Sequence, residues 1–471
     1  MASHTPNFDA KIKALLDTTE PGERVCALTG EKWNMDKKEI GIYRKYNAPP
    51  SQQSRLTRLR FLSSFFAGVV WWWHKDAETG EPLITYIHPH TKYKILKDDL
   101  WYQKDFASMG RDFDFNRPFF EQMLELSHEV PRSAWQNFEE PIDSIARASL
   151  GDQHSFFVAA SRSKNSIYVS DAFDIEDSAE VIIAYNIQRS YNILHSRRIS
   201  DSAFVRESYD CMNSWFLFDC RDCEYCFGAW NKRHKKYLWW NEQLSKEEWE
   251  RRFAEVQTNS FSQLKDLRRR FQKVMKSKAV WPATFSENTQ NSTGEYLNNT
   301  VNCDYCYFSD GAKNEYYATF GQMGSEENAF GSNPASNYCY MSPITVNSSK
   351  CSYCWNATRS QNLEYCMDCY DCEDCFGCVG LRRKKFHIMN KEYPEEEYWP
   401  MLDKIKTHLL EEGSYGNFFP GSFAFGPYRN SGAHVAYERF TQEQQEELKI
   451  FDFDSELSGA YGDIVKANPT S

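Results

Sequence analysis

The sequence predicts an α+β protein, mostly β. Its short-strand repeat modules are β-solenoid-like, each closed by a helix, behind an N-terminal degenerate zinc-ribbon-like domain. Three observations predict this. Cys366 to Cys378 places five cysteines at a strict three-residue spacing, and a weaker copy lies 149 residues upstream. Short aromatic and aliphatic runs recur between polar turns. Helix-start signals follow each cysteine run.

The internal repeat is read first, because it fixes the architecture. A shift of 149 positions, without a gap, lays Cys220, Cys223 and Cys226 on Cys369, Cys372 and Cys375. It also lays Phe227-Gly228 on Phe376-Gly377, Asn241 on Asn390 and Trp249 on Tyr398. Ala229 stands where the downstream copy has Cys378.

The 471 residues suit two or three domains. We divide them into an N-terminal mixed domain (1–150), a first β-repeat module with helices (151–285), a second cysteine-rich module with a helix (286–413), and an irregular strap and tail (414–471). The formal charge of −11 argues against a general binder of nucleic acid or anionic membrane. The start of the chain lacks the apolar core of a signal peptide. The longest apolar run, Phe61 to Trp73, has 13 residues, where a membrane span needs about 20. The expectation is a cytoplasmic or otherwise intracellular protein without a membrane span. Fifteen cysteines in such a chain read as thiols or metal ligands.

In the N-terminal region Cys26-Ala-Leu-Thr-Gly-Glu31 echoes Asp76-Ala-Glu-Thr-Gly-Glu81. Each Thr-Gly-Glu predicts a tight turn with glycine at positive φ. Asp76 replaces the cysteine that a paired ribbon would need. His74, His88 and His90 read as surface or packing residues, and Trp71 to Trp73 as strand core or interface. Pro118 opens a helix with Phe119, Met123 and Leu126 on one face.

From Ser155 to Tyr209, and again from Val301 to Leu381, short runs recur at roughly 10- to 15-residue spacing. Strands this short bury little alone, and stacking of successive coils would bury them. Ser245-Lys-Glu-Glu248 is a capping-box pattern, and Leu264, Leu267, Phe271 and Val274 then share a face opposite a basic one. Ser286 to Thr300 reads as a polar linker. Pro394 begins the second closing helix, with Tyr398, Leu402, Ile405 and Leu409 inward and Gly413 at its end. The last residues are expected to fray.

A three-residue period matches neither a strand nor a helix face, so the cysteine run must turn continually or split its thiols between layers. Three readings follow. Zinc would take Cys-x-x-Cys halves, with Cys303, Cys306, Cys351, Cys354, Cys366, Cys369, Cys372, Cys375, Cys220 and Cys223 as candidate ligands. An iron–sulfur cluster asks for a different spacing. Core filler is the third, because cysteine packs as a small hydrophobe and Ala229 can fill but not ligate. No phosphate loop, nucleophile elbow or zinc-protease helix motif occurs.

The basic stretches 232–236 and 382–385 are equivalent by the repeat. They read as solubilising hairpin tips. Alternatively they grip nucleic acid through Lys232, Lys235, Lys236, Arg382, Arg383, Lys384 and Lys385.

The stretch Cys372-x-x-Cys-Phe-Gly-Cys378-x-x-Leu381-x-x-Lys384 continues through Ile388-x-Asn390-Lys-x-Tyr393 to Tyr398. It resembles the hallmark of an uncharacterised Cys-rich repeat family common in ultra-small uncultivated bacteria. Gly110 to Glu121 and Gly416-x-Phe-Phe-Pro420 resemble it too. The resemblance implies architecture, with an opening zinc ribbon of which this chain keeps Cys26, and it carries no activity. The expected function is a non-enzymatic scaffold or assembly subunit that presents a surface to other proteins or to itself, with zinc as the candidate stabiliser. The alternatives are a zinc- or cluster-dependent enzyme or redox protein, and the nucleic-acid factor just described.

Overall fold

A computed structural model describes residues 3–66 and 70–452. It is a mixed helix-and-strand protein with many short strands and curled parallel sheets. The chain divides into two compact units, 135–283 and 1–134 with 284–471. The tail beyond 452 and part of the apolar run 61–73 lie outside the described residues. Among the described residues no helix is long and apolar enough to cross a membrane.

The unit 135–283 contains a stack of parallel strands whose register begins at 11 residues and then settles at 12. Ile167 pairs Ala179, Ala179 pairs Tyr191, Tyr191 pairs Ala203 and Ala203 pairs Trp215. A second row runs from Phe173 through Tyr185, Arg197, Tyr209 and Arg221 to Arg233.

The three-residue period has a backbone cause. Every third residue is left-handed, as at Ile183 (φ 46°), Asn186 (57°), Arg189 (45°) and Asn192 (57°). Each such residue bends the strand, and the next side chain points inward. Large and small inward residues alternate along the chain, as in Ser178, Val181, Ala184 and Ile187, all buried.

The small residues form hydrogen-bonded columns. In Ser166, Ser178, Ser190, Ser202 and Ser214, each hydroxyl donates to the carbonyl two residues earlier, at 2.7–2.8 Å. Each accepts the backbone N–H twelve residues later, at 2.9–3.2 Å. The column therefore satisfies polar groups that burial would otherwise orphan. Outside, Arg162, Arg189 and Arg198 pair Asp174, Asp201 and Asp210, again twelve residues on.

The stack ends at an antiparallel hairpin, Leu238–Trp239 with Glu242–Gln243. Helix Lys246–Ala254 follows, its N-cap Ser245 accepting from Glu248 N at 3.2 Å. Helix Phe261–Ser277 buries Phe271, Val274 and Met275.

The other unit contains a second parallel stack. Gly294 pairs Cys306, Trp355 pairs Met367 and Glu373 pairs Lys385, each twelve apart. The stretch expected as a linker thus holds a strand, Gly294–Asn298. A Cβ at Gly294 (φ 140°) would stand 1.7 Å from the Cys306 carbonyl oxygen, so only glycine lets the strands meet. The register slips to 13 between Tyr316 and Ala329 and to 11 between Ala329 and Tyr340. A hairpin closes this stack as well, Lys385–Ile388 with Lys391–Glu392. Helix Glu395–Glu411 then buries Tyr398, Leu402, Ile405 and Leu409.

The N-terminal elements of this unit cover one flank of its stack. Tyr46 stacks on Tyr340 at 4.9 Å, Arg58 lies 4.0 Å over Phe330 and Phe119 meets Phe376 at 5.6 Å. Two hairpins carry the Thr-Gly-Glu turns, Gly22–Val25 with Lys32–Met35 and Trp72–Lys75 with Pro82–Thr85. Their turns match bond for bond. Cys26 N donates to Glu31 O at 2.8 Å, and Asp76 N donates to Glu81 O at 2.9 Å. Gly30 (φ 69°) and Gly80 (φ 72°) close them.

Candidate functional site: the cysteine-lined core

All fifteen cysteines are free thiols, and none is more than 2% exposed. The ten candidate ligands occupy inward positions of the two stacks. Cys220 and Cys223 lie in the unit 135–283, in an aliphatic core with Ile199, Val205 and Leu217. Cys303 and Cys306 pack with Leu297, Ala312 and Ala318. Cys351, Cys354, Cys366, Cys369, Cys372 and Cys375 form one cluster with Cys339, Cys378, Ala357, Leu363 and Leu381.

Each of the ten thiols donates to the carbonyl two residues earlier, at 3.3–3.6 Å. This is the serine geometry carried out by sulfur. Cysteine and serine therefore exchange along a column, as where Ser214 Oγ accepts from Cys226 N at 2.9 Å.

Burial pushes the thiols of Cys220, Cys306, Cys339, Cys354, Cys369, Cys375 and Cys378 well above the usual cysteine range. Cys351 and Cys372 are drawn down by thiol donors, Cys339 and Cys369 first among them. Both thiols lie in a buried cluster with alanine, leucine and other cysteines, where a thiolate would be costly. We take these thiols as neutral. A buried neutral thiol is a poor nucleophile. Among the described residues no group of three or more His, Cys, Asp or Glu is arranged to hold a metal ion.

His88 is fully buried against Trp72, with ring centroids 4.3 Å apart. Its Nδ1 accepts from His90 N at 3.1 Å.

Arg233–Lys236 is strand, and Arg382 to Lys384 lead into strand Lys385–Ile388, so neither basic stretch is a hairpin tip. The preceding coil explains their pairing, since it places carboxylates twelve residues back. Lys236 pairs Glu224 and Lys385 pairs Glu373. Arg382 donates to the carbonyls of Trp101 and Lys104, and Lys384 pairs Asp105. Lys232, Lys235 and Arg383 make no ion pair among the described residues.

Sequence reasoning missed Glu315. It stands inward beside Cys303 and Cys306, 1% exposed. Its Oε1 accepts from Asn328 Nδ2 at 2.9 Å, while Oε2 has no hydrogen-bond partner. Gly321 makes the room, since a Cβ there would lie 2.2 Å from Oε2. Burial raises this carboxyl to about 7. The only signal in the sequence is its place in the three-residue frame, twelve after Cys303.

The fold and core define a class: a mixed helix-and-strand protein on curled parallel sheets, with a cysteine- and serine-filled interior. No protein-family model matches the chain. No curated protein matches it. Among solved structures, a putative acetyltransferase from Desulfovibrio desulfuricans G20 is similar at 9% identity, over 56% of this chain and 74% of that one. Its TM-score is 0.12, and it carries no argument about this chain.

Proposed function

We propose that the chain is a non-enzymatic scaffold or assembly protein. Its two strand stacks are read as β-solenoids whose lateral faces meet other proteins, or further copies of the chain. The observation that carries this reading is the sealed core. The residues best suited to chemistry, the cysteines, are buried, protonated and bonded to backbone, which suits structure and not turnover. The 12-residue register supports the solenoid reading, and repeat folds supply long binding surfaces. The matched turns at Cys26 and Asp76 support a degenerate ribbon at the N-terminus. Fifteen free thiols fit a reducing, intracellular compartment.

A zinc-clipped core is the second reading. What favours it is that Cys354, Cys366, Cys369 and Cys378 share one buried cluster. A tetrahedral thiolate site takes four sulfurs, which would have to converge on the ion, since among the described residues no such group is arranged to hold one.

Metal analysis of protein purified without added metal, with a count of thiols that react in the native state, tests both. No metal and few reactive thiols is the scaffold result. One or two zinc ions per chain would replace a filled core by a clipped one. Iron, or many fast-reacting thiols, would overturn the scaffold reading in favour of redox chemistry.

A further inference from the structure

Several cations on the strand faces, Arg162, Arg189, Arg198 and Arg359 among them, pair a carboxylate one coil away. Helix Phe261–Ser277 departs from this pattern. Lys265, Arg268, Arg269, Arg270, Lys273 and Lys276 are all exposed, and Asp266 is the only acid in the helix. Arg269 pairs Asp266 at 3.6 Å. The other five make no ion pair among the described residues.

The helix sorts these cations by angle. Its apolar side is occupied by Phe271, Val274 and Met275, buried in the unit. Lys265, Arg269, Lys273 and Lys276 lie on the opposite face. Successive members of the row 265, 269, 273 stand about 6 Å apart along the axis. Arg268 and Arg270 flank the row and lie over rings, Arg268 at 5.3 Å from Phe204 and Arg270 at 3.9 Å from Trp240. On the next flank of the helix, marked by Leu267 and Arg270, opens a cleft of about 370 Å³, lined also by Phe227, Trp239, Trp240 and Glu255. Trp239 and Trp240 are half-buried there.

We infer that this face binds single-stranded nucleic acid, with phosphates along the Lys265–Arg269–Lys273–Lys276 row and bases at the Trp239–Trp240 cleft. A row of cations, all but Arg269 without an ion pair, with half-buried aromatic rings on the next flank is the chemistry that holds a single strand without reading its sequence. An acidic peptide would use the cations and leave the rings idle. A membrane surface would need the apolar side of the helix, which is already buried. This inference does not depend on the scaffold reading.

The test is fluorescence anisotropy of a labelled oligothymidylate with the full chain. Binding at low salt is expected to weaken with a log–log salt slope of about −3, from about −0.7 for each of four phosphates. The variant Lys265→Gln, Arg269→Gln, Lys273→Gln, Lys276→Gln is expected to bind about tenfold more weakly or worse, with a flatter slope. A control removes four cations that already have partners, Arg162→Gln, Arg189→Gln, Arg198→Gln, Arg359→Gln, and is expected to bind as the parent does. Circular dichroism checks that both variants fold. No binding at low salt would overturn the proposal. So would equal loss in both variants, polyglutamate binding as tight as the oligonucleotide, or binding to anionic vesicles alone.

Discussion

Ser190 Oγ accepts a hydrogen bond from Ser202 N at 3.2 Å while donating to the Gln188 carbonyl at 2.7 Å. One hydroxyl thus settles two buried backbone groups. Ser190→Ala is expected to orphan the Ser202 N–H and to cost about 1–3 kcal/mol. Ser190→Cys should cost less, because sulfur takes the same acceptor role where Asn390 N donates to Cys378 Sγ at 3.4 Å. Urea unfolding of the two variants measures the difference, and equal losses would contradict the column's role.

Ile183 sits at φ 46°, a left-handed position that a β-branched side chain resists. Ile183→Asn is expected to stabilise the protein by about 1 kcal/mol, since asparagine tolerates this conformation. The reverse change at the equivalent frame position, Asn186→Ile, is expected to destabilise by a similar amount. Thermal melts of both variants should move in opposite directions.

Arg132 and Asp368 form an ion pair with both side chains at most 3% exposed. The guanidinium also lies 4.2 Å from the Phe425 ring and 4.8 Å from Tyr93. Asp368→Asn is expected to leave a buried cation unpaired and to cost about 3–5 kcal/mol. Arg132→Lys should not rescue the site, because an ammonium lacks the flat face that stacks on those rings. A double-mutant cycle with Asp368→Asn would read the coupling directly.

Glu315 gives the second stack a pH dependence. Its carboxyl is raised to about 7 in the fold, against an ordinary value near 4.5. The native state therefore holds this proton more tightly than the unfolded chain. Stability is unaffected below about pH 4.5, falls as pH rises towards 7, and is lower by about 3 kcal/mol above it. Glu315→Gln is expected to flatten that fall and to raise stability at pH 8. Denaturation midpoints at pH 5 and pH 8 check it, and an unchanged difference in the variant would assign the dependence elsewhere.

Much of this was legible in the sequence, and the residues explain why. The 149-residue repeat matched Asn241 to Asn390, and the two perform one task. Asn241 brackets the backbone of Trp230 at 3.0 and 3.1 Å, and Asn390 brackets Val379 at 2.7 and 2.8 Å. Both closing helices were marked by their starts, Ser245 and Pro394. The left-handed bends were not legible, because Phe, Tyr and Ile fill many of them and local preference points elsewhere. Only the coil-to-coil ladder holds such residues there. The strict twelve-residue spacing of Ser166, Ser178, Ser190, Ser202 and Ser214 was present but reads as ordinary polar turn sequence until the pairing is known. Glu315 was hidden for the same reason. The packing of Tyr46 and Arg58 on a stack nearly 300 residues later leaves no local trace.

The two hairpins that end the stacks have a consequence for how the protein behaves in a crowd. A parallel ladder with a free last strand is a seed, and any extended chain can add to it. Here the chain doubles back after Trp239 and after Ile388, and the returning strand is two residues long and bears an exposed Glu242 or Glu392. Such an edge offers little to copy. The closing hairpin thereby limits the addition of a further coil at that end of each stack.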